Sequence, residues 1–336
     1  MGDCVLARQK IIIVTDAWHP QVNGVVTTYH NIINHLPHDV VLIEPSQFPS
    51  RPAPYYPSIS LAWCSLNRMR RLLLEHRDSN TRLHIATEGP LGFQARRVAH
   101  DLHWHYTTAY HTKFPEFIEA MTHVPAALTR WYFDWFHQHS HAVMMSSESN
   151  RREHAHWAGV VLNKGIDPVF EFSDHAVHDP PRLLYVGRVS REKNLDAFCD
   201  LDISSEKTVV GDGPYLHELR NRYPCVRFVG YKFGAELASY YQQADVMVFP
   251  SRVDTFGIVM LESMACGTPC AAYPVTGPRD QIQPLVNGSI HEDLATAVRE
   301  CLLLPRSLVQ ASVAHKSWQR AAEQFLQHTV PIASSR

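Results

Sequence analysis

Two acidic residues stand eight positions apart in the segment SRVDTFGIVMLESMACGTP, which covers residues 251–269. The apolar pattern over 256–266 predicts a short helix that begins after Asp254, an N-cap residue type, and ends at Gly267. Asp254 and Glu262 then share a broad face and lie on the order of 10 Å apart along the helix. Such a pair can accept hydrogen bonds from hydroxyls at both ends of one elongated ligand. The alternatives are that Asp254 is only an N-cap and that Glu262 is only structural.

The predicted start of this helix adds a second kind of chemistry. Its first residues bring unpaired backbone amides and the positive end of the helix dipole together at Thr255, Phe256, Gly257 and Ile258. These groups favour an anion such as a phosphate. With a diphosphate there, the two acids are placed to accept from hexose hydroxyls at one end and from a ribose diol at the other.

Two cations follow the strand predicted at 182–188. In VGRVSREKNL, Arg188 stands at the carboxyl end of that strand and Lys193 five residues later. An arginine fork and a lysine point charge suit a diphosphate, and a solvated loop is the plain alternative. The next predicted strand ends in VVGDGP, which resembles a nucleotide-binding turn at Gly213 but is no GxGxxG.

Other polar residues stand at predicted strand ends. Tyr231 and Lys232 end the strand FVGYK, where they can border a base, although plain packing explains Tyr231 equally well. Asn23-Gly24 can adopt the φ > 0 geometry that brings backbone close to a ligand, or form an ordinary tight turn. His111 ends a strand in YHTKFP, as one of 22 histidines.

A metal site is not expected from the sequence. His100, His103 and His105 suggest a zinc site by proximity, but alternation along a strand splits them between two faces, and no cysteine accompanies them. We therefore expect neither a metal nor another cofactor.

The chain as a whole alternates strands and helices, which is typical of parallel sheets. The predicted strands of the first half are 10–16, 39–45, 83–87, 104–111 and 142–147, with helices at 25–36, 65–77, 91–101 and 126–139. The proline- and aromatic-rich segment 45–60 predicts a long surface loop. The predicted strands of the second half are 182–188, 206–213, 226–231, 245–251 and 268–274, with helical patterns at 290–304 and 307–327.

These elements predict an α/β protein of two doubly wound, Rossmann-like domains facing across a cleft, with ligands at the carboxyl ends of the strands. Residues 1–168 form the expected N-terminal, acceptor-side domain, and the polar, proline-containing stretch 169–181 is the expected linker. The expected C-terminal domain, 182–310, carries the donor residues.

Composition limits the class of protein. The 336 residues carry a net charge of −2, which gives no support to nucleic-acid binding. Seven cysteines without a CxxC pair indicate reduced thiols, and the polar N-terminus and short apolar runs predict neither a signal peptide nor a membrane span. We expect a cytoplasmic protein.

Together these segments resemble the retaining, nucleotide-sugar-dependent glycosyltransferases of the GT-B fold. The resemblance covers most of residues 10–325, in the order PQVNGV, YHTKFP, NKGID, VGRVSREKNL, VGDGP, FVGY and ADVMVFPSRVDTFGIVMLESMACGTPCAAYPVTGP. YHTKFP with DTFGIVMLE looks closest to the branch of lipid-linked and diacylglycerol α-mannosyl- and glucosyltransferases.

The resemblance implies a role for each matching residue. Arg188 and Lys193 would hold the donor diphosphate, Glu262 the ribose, and the amides at 256–258 the distal phosphate and sugar. Gly24 would approach the donor, and His111 would lie near the transferred sugar. In place of the family's usual first glutamate stands Asp254, which leaves the sugar open between GDP-mannose and UDP-glucose types. The resemblance further implies that residues 311–336 cross back to the first domain.

The acceptor is less defined. Asp16 and His19 are assigned to it, and the acceptor is a lipid or a glycan. The basic amphipathic stretch 65–77 and the aromatic stretch 130–136 can rest on the inner face of a membrane; an ordinary surface helix and a core helix are the alternatives. A non-hydrolysing nucleotide-sugar epimerase and a non-catalytic nucleotide-sugar-binding module are the alternative functions.

Overall fold

The computed structural model describes residues 10–21, 23–53, 56–78, 80–122, 124–253 and 256–332. The chain divides into two units. The first unit runs through Asn163 and continues from Trp318, and the second is Lys164–Ser317. Residues 169–181, the expected linker, belong to the second unit and contain no helix or strand.

A six-stranded parallel sheet forms the centre of the first unit, in the order β2-β1-β5-β6-β7-β8. Its strands are β1 (Lys10–Val14), β2 (Asp39–Ile43), β5 (Arg82–Ile85), β6 (Thr107–Tyr110), β7 (Val143–Met145) and β8 (Gly159–Val161). β1 is almost entirely apolar because side chains on both of its faces are covered, and residues 11–14 are fully buried. All five predicted strands are present, and β8 is an additional one.

Helices connect these strands. They are α1 (Gly24–His35), α2 (Leu66–Glu75), α3 (Pro90–Asp101), α4 (Phe114–Thr122), α5 (Ala126–His137) and α6 (Glu148–Glu153). The long surface loop predicted at 45–60 was wrong. A short 3₁₀ helix (Pro45–Gln47) and an antiparallel pair, β3 (Ser50–Ala53) with β4 (Tyr56–Ala62), occupy most of it. Proline is tolerated in such a two-stranded edge, so a loop-like composition does not exclude strands there.

The second unit has the same architecture, with a parallel sheet in the order β11-β10-β9-β12-β13-β14. Its strands are β9 (Arg182–Val186), β10 (Glu206–Val210), β11 (Arg227–Phe228), β12 (Val246–Phe249), β13 (Cys270–Ala272) and β14 (Gly288–Ile290). Its helices are α7 (Leu195–Cys199), α8 (Leu216–Arg222), α9 (Gly234–Gln243), α10 (Ile258–Ala265), α11 (Pro278–Gln281), α12 (Leu294–Cys301) and α13 (Arg306–Val313). The strand order reverses between β9 and β12, and ligands of such sheets bind outside the carboxyl ends of the strands at that point.

The helical pattern at 307–327 is divided between two units. α13 belongs to the second unit, whereas α14 (Trp318–His328) packs against α1 in the first. Phe325 of α14 is fully buried, and Arg82 of β5 donates to the Leu326 carbonyl at 2.9 Å. The expected return of the C-terminal helix to the first sheet is therefore present. Within the described ranges, no helix combines the length and apolar character that a membrane span needs.

Candidate functional site

Arg188 follows β9 directly at the point where the strand order of the second unit reverses. The Tyr185 hydroxyl donates to the Arg188 carbonyl at 2.8 Å, and the amide of Val189 donates to the Asp212 carbonyl at 2.9 Å. The turns after β9 and β10 are thus joined through their backbones. The position of Arg188 at the sheet edge is set by these hydrogen bonds to its own carbonyl and from the amide of Val189.

Glycines allow these two turns to approach each other. A Cβ at Gly211, whose φ is +142°, would stand 1.8 Å from the Gly187 carbonyl oxygen. At Gly213, with φ +159°, it would stand 2.3 Å from the Val189 carbonyl oxygen. The fold itself therefore requires glycine at both positions. The predicted donor contact of Gly213 stays a prediction.

Lys193 ends a short 3₁₀ helix, Arg191–Lys193, in the loop that follows Arg188. The next residue, Asn194, has a left-handed backbone (φ 55°), and its side-chain amide donates to the Pro250 carbonyl at 3.1 Å. Because Pro250 follows β12, this bond joins the cationic loop to the segment that leads into α10. Arg191 faces elsewhere, paired with Glu218 and over the Tyr215 ring.

Glu262 lies on the second turn of α10, and within the described part of the chain its carboxylate has one hydrogen-bond partner. The hydroxyl of Tyr241, a fully buried residue of α9, donates to Oε2 of Glu262 at 2.9 Å. Burial raises the pKa of Glu262 to about 7; the Tyr241 hydrogen bond opposes that rise, and the charge of Asp167 adds to it. Since an ionised carboxylate has about four acceptor sites, Glu262 can still accept from a ligand.

The start of α10 is held from behind. Gln281 donates through Nε2 to the Phe256 carbonyl, and Gly257 caps the helix with φ 78°. A Cβ at Gly257 would meet Met260 and Phe249 at 2.9 Å. The predicted start after an N-cap at Asp254 was wrong, because the N-cap is Gly257 and the helix begins at Ile258. The predicted end was confirmed, since Gly267 has φ 86°. Asp254 and Thr255 lie outside the described residues.

Aromatic rings line the edge next to the β10 turn. Tyr231 donates to the Asp212 carbonyl at 3.1 Å, and its ring stacks on Phe233 at 6.0 Å, although the two residues are 43% and 60% exposed. Burial raises the pKa of Tyr231, and the positive charge of Arg188 opposes the rise. Lys232 forms an ion pair with Glu236.

In the first unit, His111 belongs to a buried hydrogen-bonded chain. The Tyr29 hydroxyl lies 2.9 Å from Nε2 of His111 and 2.7 Å from Nε2 of His84. His84 contacts the Thr107 hydroxyl at 2.8 Å through Nδ1, and Nδ1 of His111 lies 3.3 Å from the Ser146 hydroxyl. Burial lowers the pKa of His84 to about 3, so its ring is neutral.

The tautomers in this chain follow from the hydrogen bond at its end. The Thr107 hydroxyl donates to the Leu83 carbonyl at 3.5 Å, so it accepts from Nδ1 of His84. His84 then accepts from Tyr29, and Tyr29 accepts from Nε2 of His111. Nδ1 of His111 is left as the acceptor, facing Ser146. Nδ1 of His111 is thus the ring atom that can accept a hydrogen bond from a hydroxyl group.

Asp16 and His19 lie in different environments. The Asp16 carboxylate accepts from the Thr87 hydroxyl at 2.8 Å and from the amides of Leu91 and Gly92, at 2.7 and 3.2 Å, so it caps α3. Burial raises its pKa to about 6. His19 is exposed and packs edge-on against Trp18. Their assignment to the acceptor stays a prediction.

The left-handed geometry expected at Asn23-Gly24 was wrong. Asn23 is extended, with φ −158°, and its side chain caps α1 by accepting from the amides of Val25 and Val26. Gly24 is the first helical residue, and a Cβ there would meet no described heavy atom within 4 Å. The described part of the fold does not require this glycine.

Sequence patterns missed several residues that position the site: Tyr29, Asn194, Tyr241 and Gln281. Tyr241 and Glu262 are 21 residues apart, and Gln281 and Phe256 are 25 apart. Such pairs depend on how the helices pack against each other, which no short sequence pattern predicts. A weak signal existed for Tyr241, because Ala238 and Tyr241 form the buried stripe of α9.

Comparison with known proteins agrees with this architecture. Residues 180–303 match the family model described as "Glycosyl transferases group 1". A GDP-mannose-dependent alpha-mannosyltransferase of Mycobacterium tuberculosis is 26% identical, over 97% of this chain and 98% of its own length. An alpha-monoglucosyldiacylglycerol synthase of Streptococcus pneumoniae is 24% identical, over 94% of this chain and 83% of its own.

Solved structures share the fold. A sucrose-phosphate synthase from Thermosynechococcus elongatus has a TM-score of 0.70 at 18% identity, over 95% of this chain and 98% of its own. Anabaena HepE, solved in complex with UDP and glucose, has a TM-score of 0.69 at 14% identity, over the same shares of the two chains. The two parallel-sheet units are thus those of a GT-B protein. Over residues 180–303 the chain is similar to the group 1 glycosyltransferases, and together the comparisons support transfer of a sugar from a nucleotide-sugar donor.

Proposed function

We propose that this protein is a retaining hexosyltransferase that moves a hexose from a GDP-mannose- or UDP-glucose-type donor to a hydroxyl of a lipid or a glycan. The observation that carries the proposal is the bond from Tyr241 to Glu262, which presents a carboxylate at the edge of the sheet where Arg188 stands. The names of the mannosyltransferase and the glucosyldiacylglycerol synthase support a hexose donor.

The donor lies along the carboxyl edge of the second sheet. Glu262 accepts from the ribose hydroxyls, and Tyr231 with Phe233 offers an exposed aromatic surface to the base. Arg188, Lys193 and the amides that begin α10 neutralise the diphosphate. Asp254 and Thr255 bind next to the sugar, as expected from the sequence, and Lys232 borders the base.

Transfer proceeds on one face of the sugar. The bond from C1 to the diphosphate oxygen breaks as the acceptor oxygen bonds to C1 from the same side, and the acceptor proton passes to the departing diphosphate. Stabilisation of that diphosphate by two cations and helix amides is the main catalytic contribution. His111 accepts a sugar hydroxyl bond at Nδ1, in place of the long contact with Ser146. The reaction needs no metal ion.

A lipid acceptor implies contact with a membrane surface. α2 is amphipathic, with Arg68 and Arg71 exposed and Met69 and Leu73 fully buried. The stretch 130–136 divides: Phe133 and Phe136 are core residues, whereas Trp131 is 72% exposed, as is Leu128 at 70%. Membrane contact therefore involves Trp131 and Leu128 rather than the whole stretch. The epimerase and the non-catalytic module are not favoured, since the named relatives are transferases and a synthase.

A donor panel tests the proposal. Binding of GDP-mannose, UDP-glucose, GDP-glucose and UDP-GlcNAc is measured by calorimetry, with and without EDTA, and products are identified by mass spectrometry. One donor binds without metal and is slowly hydrolysed with retention at C1, and Arg188→Ala and Glu262→Ala each weaken it at least tenfold. Arg191→Ala, in the same loop but paired with Glu218, is the matched control and binds normally. Binding that survives both site substitutions would sink the proposal.

A further inference from the structure

Three side chains of the second unit meet at the amino edge of its sheet, opposite the donor residues. Asp245 directly precedes β12 and is buried, and His175 and His178 lie in the segment before β9. Nδ1 of His178 lies 3.0 Å and Nδ1 of His175 lies 3.7 Å from Oδ1 of Asp245. One nitrogen from each ring and one carboxylate oxygen all lie within 4.8 Å of one another.

His175 has carbonyl oxygens at both ring nitrogens. Nδ1 lies 2.9 Å from the Ala176 carbonyl and Nε2 lies 2.9 Å from the Gln242 carbonyl. A neutral imidazole has only one N–H to donate. When Nε2 donates to Gln242, the lone pair of Nδ1 faces the Ala176 carbonyl and the Asp245 carboxylate, an arrangement that a bound cation would stabilise.

Asp245 is oriented in the manner of a ligating carboxylate. The amide of Arg182 donates to its Oδ2 at 2.7 Å, and the amide of His178 donates to its Oδ1 at 3.2 Å. Arg306 is nearby, but its guanidinium donates to the carbonyls of Ser173, Ala244 and Cys266. Asp245 therefore has no direct bond to Arg306, and the side-chain group closest to its two oxygens is Nδ1 of His178, at 3.0 and 3.1 Å.

We propose that His175, His178 and Asp245 form a zinc site that fixes the segment before β9 to the start of β12. Two imidazoles and one carboxylate are a common zinc ligand set, and the bond from His175 Nε2 to a backbone carbonyl is the usual orienting contact. Ligands of tetrahedral zinc are about 3.4 Å apart. The observed separations of 3.0 and 3.7 Å lie on either side of that value. Water completes the coordination.

This site lies apart from the transfer reaction. It lies at the amino edge of the sheet, whereas Arg188 and α10 lie at the carboxyl edge. Zinc binding therefore stabilises the second unit without entering the transfer reaction. Removal of zinc lowers the melting temperature and leaves donor affinity unchanged.

Untagged protein, stripped with a chelator and then dialysed against Zn²⁺, tests the site by its metal content. Wild-type protein retains one zinc per chain that the variants lack, and saturation raises its melting temperature on the order of 5 °C. His175→Ala and His178→Ala each weaken this binding about 100-fold or more. The double variant His105→Ala/His141→Ala removes a different pair of rings, 6.3 Å apart, and keeps the zinc.

A further measurement distinguishes loss of zinc binding from loss of folding. Circular dichroism in chelator shows whether each variant is folded, and His175 is partly exposed, so its removal leaves the core intact. Equal zinc content and equal melting shifts in the wild type and both histidine variants would overturn the proposal. The contacts of His175 and His178 with Asp245 would then be ordinary side-chain interactions that hold the segment without a metal.

Discussion

Glu262 lies in a buried environment and is also the proposed acceptor of hydrogen bonds from the ribose. Burial raises its pKa to about 7, against the hydrogen bond from Tyr241, so its charge changes near neutral pH in the ligand-free protein. Because this folded-state pKa is above the ordinary value, the stability it contributes is complete below about pH 4.5 and is lost as pH rises through about 7. A ribose diol that donates to the carboxylate favours the ionised form.

Donor affinity should therefore increase with pH. Between pH 6 and 8 the ionised fraction of a group with a pKa of about 7 rises about tenfold, and calorimetry should show the donor Kd falling by up to that factor. Glu262→Gln should bind 10- to 100-fold more weakly at pH 8 and lose this pH dependence. Tyr241→Phe should shift the transition to higher pH. Glu323→Gln on α14 is the control, and an unchanged pH profile in Glu262→Gln would contradict the assignment.

At the scale of elements, the turns after β9 and β10 set the candidate site. Their approach depends on Gly211 and Gly213, whereas Gly24 at the start of α1 is under no such requirement from the described residues. The two kinds of glycine have different physical reasons. The fold itself requires glycine at 211 and 213, whereas at Gly24 we expect glycine to be required only for donor binding.

Two alanine substitutions separate these reasons. Gly211→Ala should lower the free energy of unfolding by about 3 kcal/mol or more, because the new methyl group meets the Gly187 carbonyl. Gly24→Ala should leave that free energy unchanged or raise it by up to about 1 kcal/mol, while weakening donor binding. Chemical denaturation and calorimetry measure the two effects. Normal donor affinity in Gly24→Ala would remove Gly24 from the donor site.

The elements that could be predicted were those with a strong local pattern. Ten strands and the glycine end of α10 were recognised because buried parallel strands are continuous apolar runs and Gly267 is a typical C′ residue. The division of 307–327 into α13 and α14 was missed because neither glycine nor proline separates them. The cluster of His175, His178 and Asp245 was missed because Asp245 is 67 residues from His178.

At the scale of the molecule, the first unit is built from two distant parts of the chain. Phe325 packs against Tyr29 and His84, with ring centroids 6.5 and 4.9 Å apart, and Ile332 enters the same unit's core. The hydrogen-bonded chain behind His111 is therefore covered by the last described helix. We therefore expect loss of this contact to lower the stability of the whole first unit.

Phe325→Ala tests this dependence. Removing a fully buried ring should cost about 3–5 kcal/mol, and hydrogen exchange should show lost protection in β1, β5 and β6. The strands β9 and β12 of the second unit should keep theirs. Leu303→Ala removes a side chain that is 82% exposed and is the control. Equal loss of protection in both units would contradict the division of the chain.

Arg82 marks a constraint on how the protein is made. Its guanidinium donates to the carbonyl of Leu326 and to the hydroxyl of Thr329. Both residues are synthesised only after the whole second unit, Lys164–Ser317. Domains usually fold in the order in which they emerge. Here the nascent second unit can close first, while the earlier sheet keeps an apolar face uncovered. The first unit therefore starts to be synthesised first but can complete its fold only after the second unit has been made. Until then we expect its uncovered apolar face to be the main chaperone-binding surface of the nascent chain.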